Sequence, residues 1–427
     1  MPCKVESLPA ELHQYIGTFL QRETRHASLW GGLALLPAIQ RQRTPPLLPD
    51  LASINAYART CRVLYNSLNW TLYDACRRHQ IFTRRALRHA IDRDQPDLLC
   101  KLAAAGVPLD VSFTVGLGAM QTLHVAAEDG TARVVQQLLA LFTEEGKNVE
   151  AMAAKVYAQR DADGRTPLDF AARRGNFEIV KLLADVMPPD HPSDGETRRG
   201  YLGCALQEAA SRPKSTMDVL KLLIYDYGGD VNYLATDGKT ALYSAIWAGN
   251  MPSARLLLEA GANPNVHNNR RIPLHAAAAY SADTDALVML LNAGANIDAQ
   301  DYFGQSALHH AISQLHDSDA DKTEIRMDTI SELLARGADV NLTNNSQETP
   351  LHWACRLPVA TMGPLVELLL RNGAGASVEK MSNDGRTPVG DVLQRRTISH
   401  VGVVKELMKY VEDVQHKVSI QAWLRWQ

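Results

Sequence analysis

Apolar residues recur along most of the chain with the spacing of short amphipathic helices. In residues 134–139 and 179–183 they fall at i, i+3 and i+4, which places them on one side of a helix. A short helix cannot bury such a stripe alone, so it must pack against a neighbour. The pattern therefore predicts many short helices packed against one another rather than a few long ones around one core.

A tetrapeptide of the form Thr-Pro-Leu-His precedes many of these helices. A Thr or Ser oxygen can accept from the free amides of a first helical turn, and proline in the next position has no donor to leave unsatisfied. Aligned on its leucine, the motif recurs at spacings of 45, 38, 36, 32, 34, 43 and 38 residues. The positions are Leu123, Leu168, Leu206, Leu242, Leu274, Leu308, Leu351 and the degenerate Val389.

A second signal follows about twenty residues after the motif. Leucine-rich segments end at Gly261, Gly294 and Gly337, where glycine can adopt the left-handed conformation that terminates a helix. Asp-Gly dipeptides at 163–164, 237–238 and 384–385 then suit tight hairpin turns. Each repeat is predicted to be a turn, a helix, a loop and a second helix.

The motif and its period closely resemble the ankyrin repeat. The resemblance implies an all-α ankyrin-repeat α-solenoid of about nine repeats over residues 81–427, elongated and slightly curved. The first repeat, from Ala86, and the fourth, from Ala205, lack the Thr-Pro start. We expect loops at the insertions 142–157, 187–200 and 314–325, and an atypical carboxyl-terminal cap with a helix over 401–414 and a tail containing Trp423 and Trp426.

Residues 5–80 form a separate segment before the repeats. An amphipathic helix is predicted over 8–20, and residues 58–66 read Ala-Arg-Thr-Cys-Arg-Val-Leu-Tyr-Asn. The segment resembles the F-box family as it is fused to ankyrin arrays in filamentous fungi, although residues 21–49 are longer than the family's usual connection. The resemblance implies a small helical module that docks on a Skp-family adaptor of a cullin ubiquitin ligase. Its adaptor-binding residues would be Leu8, Pro9, Leu12, Ile16, Leu51, Ile54 and Leu64.

Two functions remain open for the whole chain. In the first, the chain is the substrate-recognition subunit of an SCF-type cullin ligase, with the repeats binding an unknown protein target. In the second, it is a scaffold or inhibitor with no role in ubiquitin transfer, and the amino-terminal helices only cap the first repeat. Both are protein-binding functions, because repeat arrays expose variable residues that recognise partners.

Composition narrows the classes of partner and compartment. Of 427 residues, 46% are hydrophobic and 21% charged, with a formal net charge of −3, which fits a folded protein and favours neither nucleic acid nor membrane as a partner. The six cysteines form no CxxC pair and are expected as reduced thiols. We expect an intracellular protein, cytoplasmic or nuclear or both.

No catalytic motif is present in the sequence, so we expect no enzyme and no cofactor. Asp317, Asp319 and Asp321 match alternate positions of a calcium loop, but Lys322 stands where that loop needs glycine, which disfavours a metal site. The His309-His310 pair, and His352 with Cys355, could be metal ligands. Their place in the repeated motif instead predicts buried or capping histidines.

Overall fold

The computed structural model describes residues 73, 76–78, 80–115, 118–146, 155–187, 198–212, 216–268, 270–280, 284–316, 320–394 and 401–425. The chain divides into two compact parts, Met1–Lys147 and Asn148–Gln427. Both parts are built from pairs of short helices. The described residues contain one two-stranded sheet and are otherwise helices and turns, so the prediction of an all-α repeat fold is confirmed.

The described residues of the amino-terminal part form two repeats. The first is α1 (Gln80–Asp92) and α2 (Pro96–Ala104). The second begins with an antiparallel hairpin, β1 (Ser112–Val115) and β2 (Gly118–Gln121), in which Ser112 pairs with Gln121. It continues with α3 (Thr122–Asp129) and α4 (Ala132–Gly146). Helix α1 packs on α3, and α2 packs on α4, so the two repeats stack like with like.

The carboxyl-terminal part contains seven further repeats, whose first helices form one row and contact one another in sequence order. These first helices are α5 (Pro167–Arg174), α7 (Arg198–Ala210), α9 (Ala241–Trp247), α11 (Pro273–Tyr280), α13 (Ala307–Ser313), α15 (Pro350–Ala354) and α17 (Pro388–Gln394).

The second helices of these repeats form the other layer. They are α6 (Phe177–Asp185), α8 (Met217–Lys221, continued by a π-helical turn Leu222–Asp226), α10 (Met251–Glu259), α12 (Asp285–Asn292), α14 (Ala320–Ala335), α16 (Val359–Arg371) and α18 (Val401–Met408). A last helix, α19 (Val414–Arg425), follows. The described chain thus has nine helix pairs, as the repeat count predicts.

The core is made by the residues that define the repeat. All eight positions of the aligned motif, from Leu123 to Val389, are at most 1% exposed. In the second helices, residues 134–135, 138 and 179–180 are at most 2% exposed. Stacking therefore buries the apolar stripes that a single repeat would leave in water.

Helix starts and ends follow the chemistry expected from the sequence. Thr166, Thr240 and Thr349 are N-cap residues, and Oγ1 of Thr240 accepts from the backbone N–H of Tyr243 at 3.1 Å. Beyond the second helices, Gly261 and Gly294 have φ of 90° and 85°. These angles are accessible to glycine at little cost, which explains why glycine ends these helices.

A ladder of side-chain amides and carboxylates connects successive repeats. Asn232 donates to the carbonyl of Gly261 at 3.2 Å and accepts from the backbone N–H of Asn263 at 2.7 Å. Asn265 repeats both contacts one repeat later, to Gly294 and Asn296, at 2.8 Å each. Each repeat thereby satisfies polar backbone groups at the helix end of the next one.

Three expected boundaries are wrong. The described residues of the insertion 314–325 are a 3₁₀ turn (Gln314–His316) and the start of α14 rather than a loop, because residues 320–335 hold strong helix formers and neither Gly nor Pro. The fourth repeat becomes helical at Arg198, well before Ala205. The first repeat likewise starts at Gln80 rather than Ala86.

The helix expected over 401–414 is also shorter, ending at Met408. The carboxylate of Glu379 accepts from the backbone N–H groups of Glu412 and Asp413 at 3.0 and 3.2 Å. These contacts hold the turn just before α19, and they satisfy amides that a new helix would leave free. The tail that begins at Val414 is therefore a helix of its own.

Candidate protein-binding surface

Three aromatic side chains contact one another in a row along two neighbouring first helices. Tyr243 and Trp247 lie on α9, with ring centroids 6.1 Å apart and planes 20° from parallel. Trp247 also meets Tyr280 of α11 at 4.3 Å in an edge-on contact. Tyr243 is buried, whereas Trp247 is 52% and Tyr280 55% exposed. We call these three residues the aromatic patch.

A second group lies at the hairpins that precede α11 and α13. Tyr302 and Phe303 are 62% and 56% exposed, with ring centroids 5.4 Å apart. The guanidinium of Arg270 lies 5.1 Å from the Tyr302 ring, within the range of a cation–π contact. We call these three residues the hairpin patch. Arg270 precedes α11 and Tyr280 ends it, so the patches flank opposite ends of a helix about 12 Å long.

Exposed aromatic and arginine side chains are the types that most often dominate protein interfaces. A folded protein gains nothing by leaving a tryptophan and three tyrosine or phenylalanine rings half in water, whereas a partner that covers them gains their apolar area. Neighbouring rings hold each other in place, which lowers the entropy lost on binding. The two patches are thus suited to contact a protein.

The histidines of the repeated motif have a structural role, as expected. His309 and His352 are fully buried. Nδ1 of His352 accepts from the backbone N–H of Thr349 at 3.1 Å, and its Nε2 lies 3.2 Å from the carbonyl oxygen of Arg386. His309 makes the equivalent contacts to Ser306 and Glu348. Burial lowers the pKa of His309 to about 4, so the imidazole is neutral near pH 7.

His275, Asp301 and His310 bring possible metal-ligand atoms within 4.8 Å of one another. Nε2 of His275 lies 2.8 Å from the carbonyl oxygen of Ala299, and Nε2 of His310 lies 3.0 Å from a carboxylate oxygen of Asp301. Burial, and then the neighbouring His310, lower the pKa of His275 to about 3. These hydrogen bonds account for the cluster without an ion.

The predicted adaptor-binding residues all lie outside the described residues: Leu8, Pro9, Leu12, Ile16, Leu51, Ile54 and Leu64. Asp317 and Asp319 also lie outside them, and Asp321 lies in α14. The four described cysteines, Cys76, Cys100, Cys204 and Cys355, are free thiols. None of the helices in the described ranges is long and apolar enough to cross a membrane.

Sequence reasoning missed both patches, although part of the signal was visible. Trp247 stands five residues after the motif leucine, on a helix whose buried side is already filled by Leu242 and Ile246. A large aromatic residue at a position that the core does not use is a sign of exposure. Its edge-on neighbour, Tyr280, could be paired with it only after the repeats were placed side by side.

An array of two-helix repeats with hairpins and aromatic side chains at its surface is the architecture of repeat proteins that bind other proteins. A family model described as ankyrin repeats, in three copies, matches residues 87–194, 206–301 and 321–418, which is more than half of the chain. The chain therefore belongs to the ankyrin-repeat family, whose repeats are generally non-enzymatic interaction modules.

Curated relatives share the repeats but not their full length. The chain is 28% identical over 222 residues to the E3 ubiquitin-protein ligase KEG of Arabidopsis thaliana, covering 50% of this chain and 13% of the relative. It is 33% identical over 219 residues to human ankyrin repeat and SOCS box protein 16, covering 46% of each. It is 28% identical over 273 residues to human transient receptor potential cation channel subfamily A member 1, covering 62% of this chain and 22% of the relative. The chain thus spans less than half the length of each.

Proposed function

We propose that this protein is the substrate-recognition subunit of an SCF-type cullin ubiquitin ligase. The repeats bind a protein target, and the F-box-like amino-terminal segment docks on a Skp-family adaptor. The observation that carries target binding is the half-exposed pair Trp247 and Tyr280, whose rings meet edge-on. Large rings held in place by neighbours are the usual centre of a protein interface.

The ubiquitin part of the proposal is supported from two directions. The segment 58–66 and the opening Leu8-Pro9 resemble the F-box family and stand directly before the repeats. Two relatives matched through their repeats carry names that refer to a ubiquitin ligase and to a SOCS box. Their coverage is limited to the repeat region, so the adaptor is inferred from the amino-terminal segment.

The mechanism requires no catalytic group in this chain. Binding a target and an adaptor at once holds the target near a ubiquitin-loaded enzyme, and this proximity raises the effective concentration of the reacting groups. Other subunits supply the nucleophile and the transfer chemistry.

Co-purification with a Skp-family adaptor tests the proposal. The full chain is compared with a Leu8→Ala, Pro9→Ala double variant, and both are checked by circular dichroism. A control variant, Gln14→Ala with Thr18→Ala, changes two polar residues that the helical pattern places away from Leu8, Leu12 and Ile16.

We expect the wild type and the control variant to retain the adaptor and the double variant to lose it. Capture of the adaptor by none of the three proteins would reject the ligase function. The alternative would then hold, in which the chain is an ankyrin scaffold or inhibitor and its amino-terminal helices cap the first repeat.

A further inference from the structure

The fourth repeat departs from the others at the position of its hairpin. In five repeats of the carboxyl-terminal part, the residue four places before the motif position has positive φ and lies in a turn: Gly164, Gly238, Gly304, Gln347 and Gly385. The corresponding residue of the fourth repeat is Leu202, which is buried inside α7. A continuous helix therefore replaces the hairpin turn at this one point of the row.

Two glycines on one side of α7 leave room for a neighbouring side chain. A Cβ added at Gly203 would lie 2.2 Å from the ring of Tyr233, and one at Gly200 would lie 3.2 Å from the Tyr233 hydroxyl. The ring of Tyr233 thus packs directly on the backbone of α7. The glycine pair explains how a helix is accommodated where other repeats have a turn.

A cavity of about 290 Å³ lies beside α7 and is walled by the hairpins of the third and fifth repeats. Its charged lining consists of four carboxylates and two basic groups. The carboxylates are Asp163, Asp169, Glu208 and Asp237, and the basic groups are Arg165 and Lys239. The lining carries a net charge of −2 with all six groups ionised and −1 with Asp169 protonated, so it attracts cations in both states.

The basic groups are already engaged at the edge of the cavity. Arg165 pairs with Asp163 at 2.9 Å and with Oε1 of Glu208 at 3.0 Å. Lys239 pairs with Asp237 at 2.6 Å. Oε2 of Glu208 stays available as an acceptor within the described part of the chain.

Asp169 is the most deeply buried polar group in the described lining of this cavity, with 2% of its surface exposed. Its Oδ2 accepts from the backbone N–H and the hydroxyl of Thr166 at 2.7 and 2.9 Å. Its Oδ1 is buried and has no hydrogen-bond partner among the described residues. In the seventh and eighth repeats this position is histidine, whose Nε2 reaches a backbone carbonyl of the next repeat. Here α7 stands where the next repeat would place that carbonyl, and Asp169, which lines the cavity, keeps one buried carboxylate oxygen unsatisfied within the described residues.

We infer that this cavity receives a lysine side chain of the bound target, with its ammonium group against Asp169 and Glu208. The inference rests on the proposed function, because the lysine belongs to the protein that the repeats bind. An ammonium group supplies three donors, and Oδ1 of Asp169 and Oε2 of Glu208 supply acceptors for two of them. Charge-assisted contacts of this kind are the stronger hydrogen bonds in proteins.

The size of the cavity agrees with one side chain rather than a cofactor. Its volume of about 290 Å³ lies just below the range for small-molecule sites. Lysine is favoured over arginine because its compact ammonium suits separate acceptors, whereas a guanidinium is suited to a planar pair of oxygens.

Saturation-transfer NMR with a small probe tests the inference without knowledge of the target. The full chain is titrated at low salt with Nα-acetyl-lysine amide, with its norleucine analogue, which has a similar chain and no charge, and with its arginine analogue. The variants are Asp169→Asn and Glu208→Gln. The control is Asp384→Asn, a hairpin-tip aspartate outside the cavity lining. Thermal melts establish that each variant is folded.

We expect the lysine probe to bind the wild type and Asp384→Asn equally, and the norleucine probe not to bind. Asp169→Asn and Glu208→Gln should each weaken lysine binding by at least about tenfold, the loss of one charge-assisted contact. No binding of the lysine probe, equal binding of norleucine, tighter binding of arginine, or unchanged binding by both cavity variants would overturn the inference. Target capture through Trp247 is measured separately, so failure of the cavity is distinguishable from failure of the proposed function.

Discussion

His352 and Arg386 are 34 residues apart in sequence, and Nε2 of the first lies 3.2 Å from the carbonyl oxygen of the second. Since Nδ1 accepts from the backbone N–H of Thr349, the neutral imidazole carries its proton on Nε2 and donates it to Arg386. One side chain thus caps its own helix and fastens the hairpin of the next repeat.

Replacing this histidine should loosen the ninth repeat. His352→Ala removes both contacts and leaves a cavity, so we expect a loss of about 2–3 kcal/mol in local stability. Hydrogen exchange should accelerate in α17 while α5 keeps its wild-type protection. The exposed Lys380→Ala, close to the same hairpin, is the control. Equal protection of α17 in His352→Ala and the control would contradict the role assigned to the histidine.

His309 should make stability fall as the solution is acidified. Burial lowers its folded-state pKa to about 4, below the value of about 6.5 in an unfolded chain. The stabilisation from the neutral form is therefore complete above pH 6.5 and is lost progressively as pH falls toward 4, by up to about 3 kcal/mol. Thermal melts from pH 8 to 4 should show a shallower decline for His309→Gln. An identical decline in both proteins would refute the assignment.

Asp169 should make stability fall as pH rises, which is opposite to the effect of His309. Burial raises its pKa to about 7, although the backbone N–H and hydroxyl of Thr166 oppose the shift. The neutral acid is favoured in the fold, so its contribution is complete below about pH 4 and is lost as pH rises through 7. Asp169→Asn should raise the melting temperature at pH 8 by several degrees and change it little at pH 4. A variant less stable than wild type at pH 8 would show that the ionised carboxylate is well accommodated.

Arg356 joins the eighth and ninth repeats through charge. It bonds Glu348 at 2.5 Å and Asp391 at 2.9 Å, and Glu348 also accepts from the indole N–H of Trp353. Arg356→Leu leaves two largely buried carboxylates without their cation, so we expect a loss of about 1–3 kcal/mol, discounted for the 31% exposure of the arginine. The triple variant Arg356→Leu, Glu348→Gln, Asp391→Asn should recover part of that stability in urea unfolding. No recovery would mean that packing, and not charge, governs the loss.

Trp247 should matter for binding and little for folding. Trp247→Ala is expected to weaken capture of the target by about 2 kcal/mol or more, as at other interface centres. The matched control is Tyr225→Ala, an aromatic residue that is 61% exposed on a second helix. Cross-linked partners of the wild type, quantified by mass spectrometry, should be depleted in the first variant and retained in the second. Equal depletion in both would remove the aromatic patch as the binding site.

The repeats could be predicted from the sequence because the residues that start and end each helix act through atoms close to them in the chain. Thr166 and Thr349 cap helices through adjacent atoms, and Gly261 ends one through its own backbone freedom. The ladder from Asn232 to Asn263 could also have been found, since the Gly-Ala-Asn or Gly-Ala-Asp segments recur with an Asn or Asp two places later.

The cavity and the aromatic patch could not be predicted because they depend on neighbours far apart in sequence. The sequence shows that the motif has aspartate at position 169 instead of histidine. The effect of this change depends on the early start of α7 at Arg198, and no strong helix signal marks that start. Trp247 and Tyr280 meet only because two helices lie side by side. The predicted adaptor residues lie outside the described structure and stay a prediction.

The helix that replaces a turn in the fourth repeat marks one distinguishable position on a surface whose other repeats resemble one another. On a strictly regular stack, an extended segment has several equivalent placements, each one repeat from the next. Among the described first helices of the row, α7 alone extends back over the turn position, and the exposed rings of α9 and α11 follow it in sequence order. A segment that contacts both cannot slide by a repeat or reverse its direction without losing one contact. The irregular fourth repeat thus favours one placement of a bound segment over the placements that are shifted by a repeat.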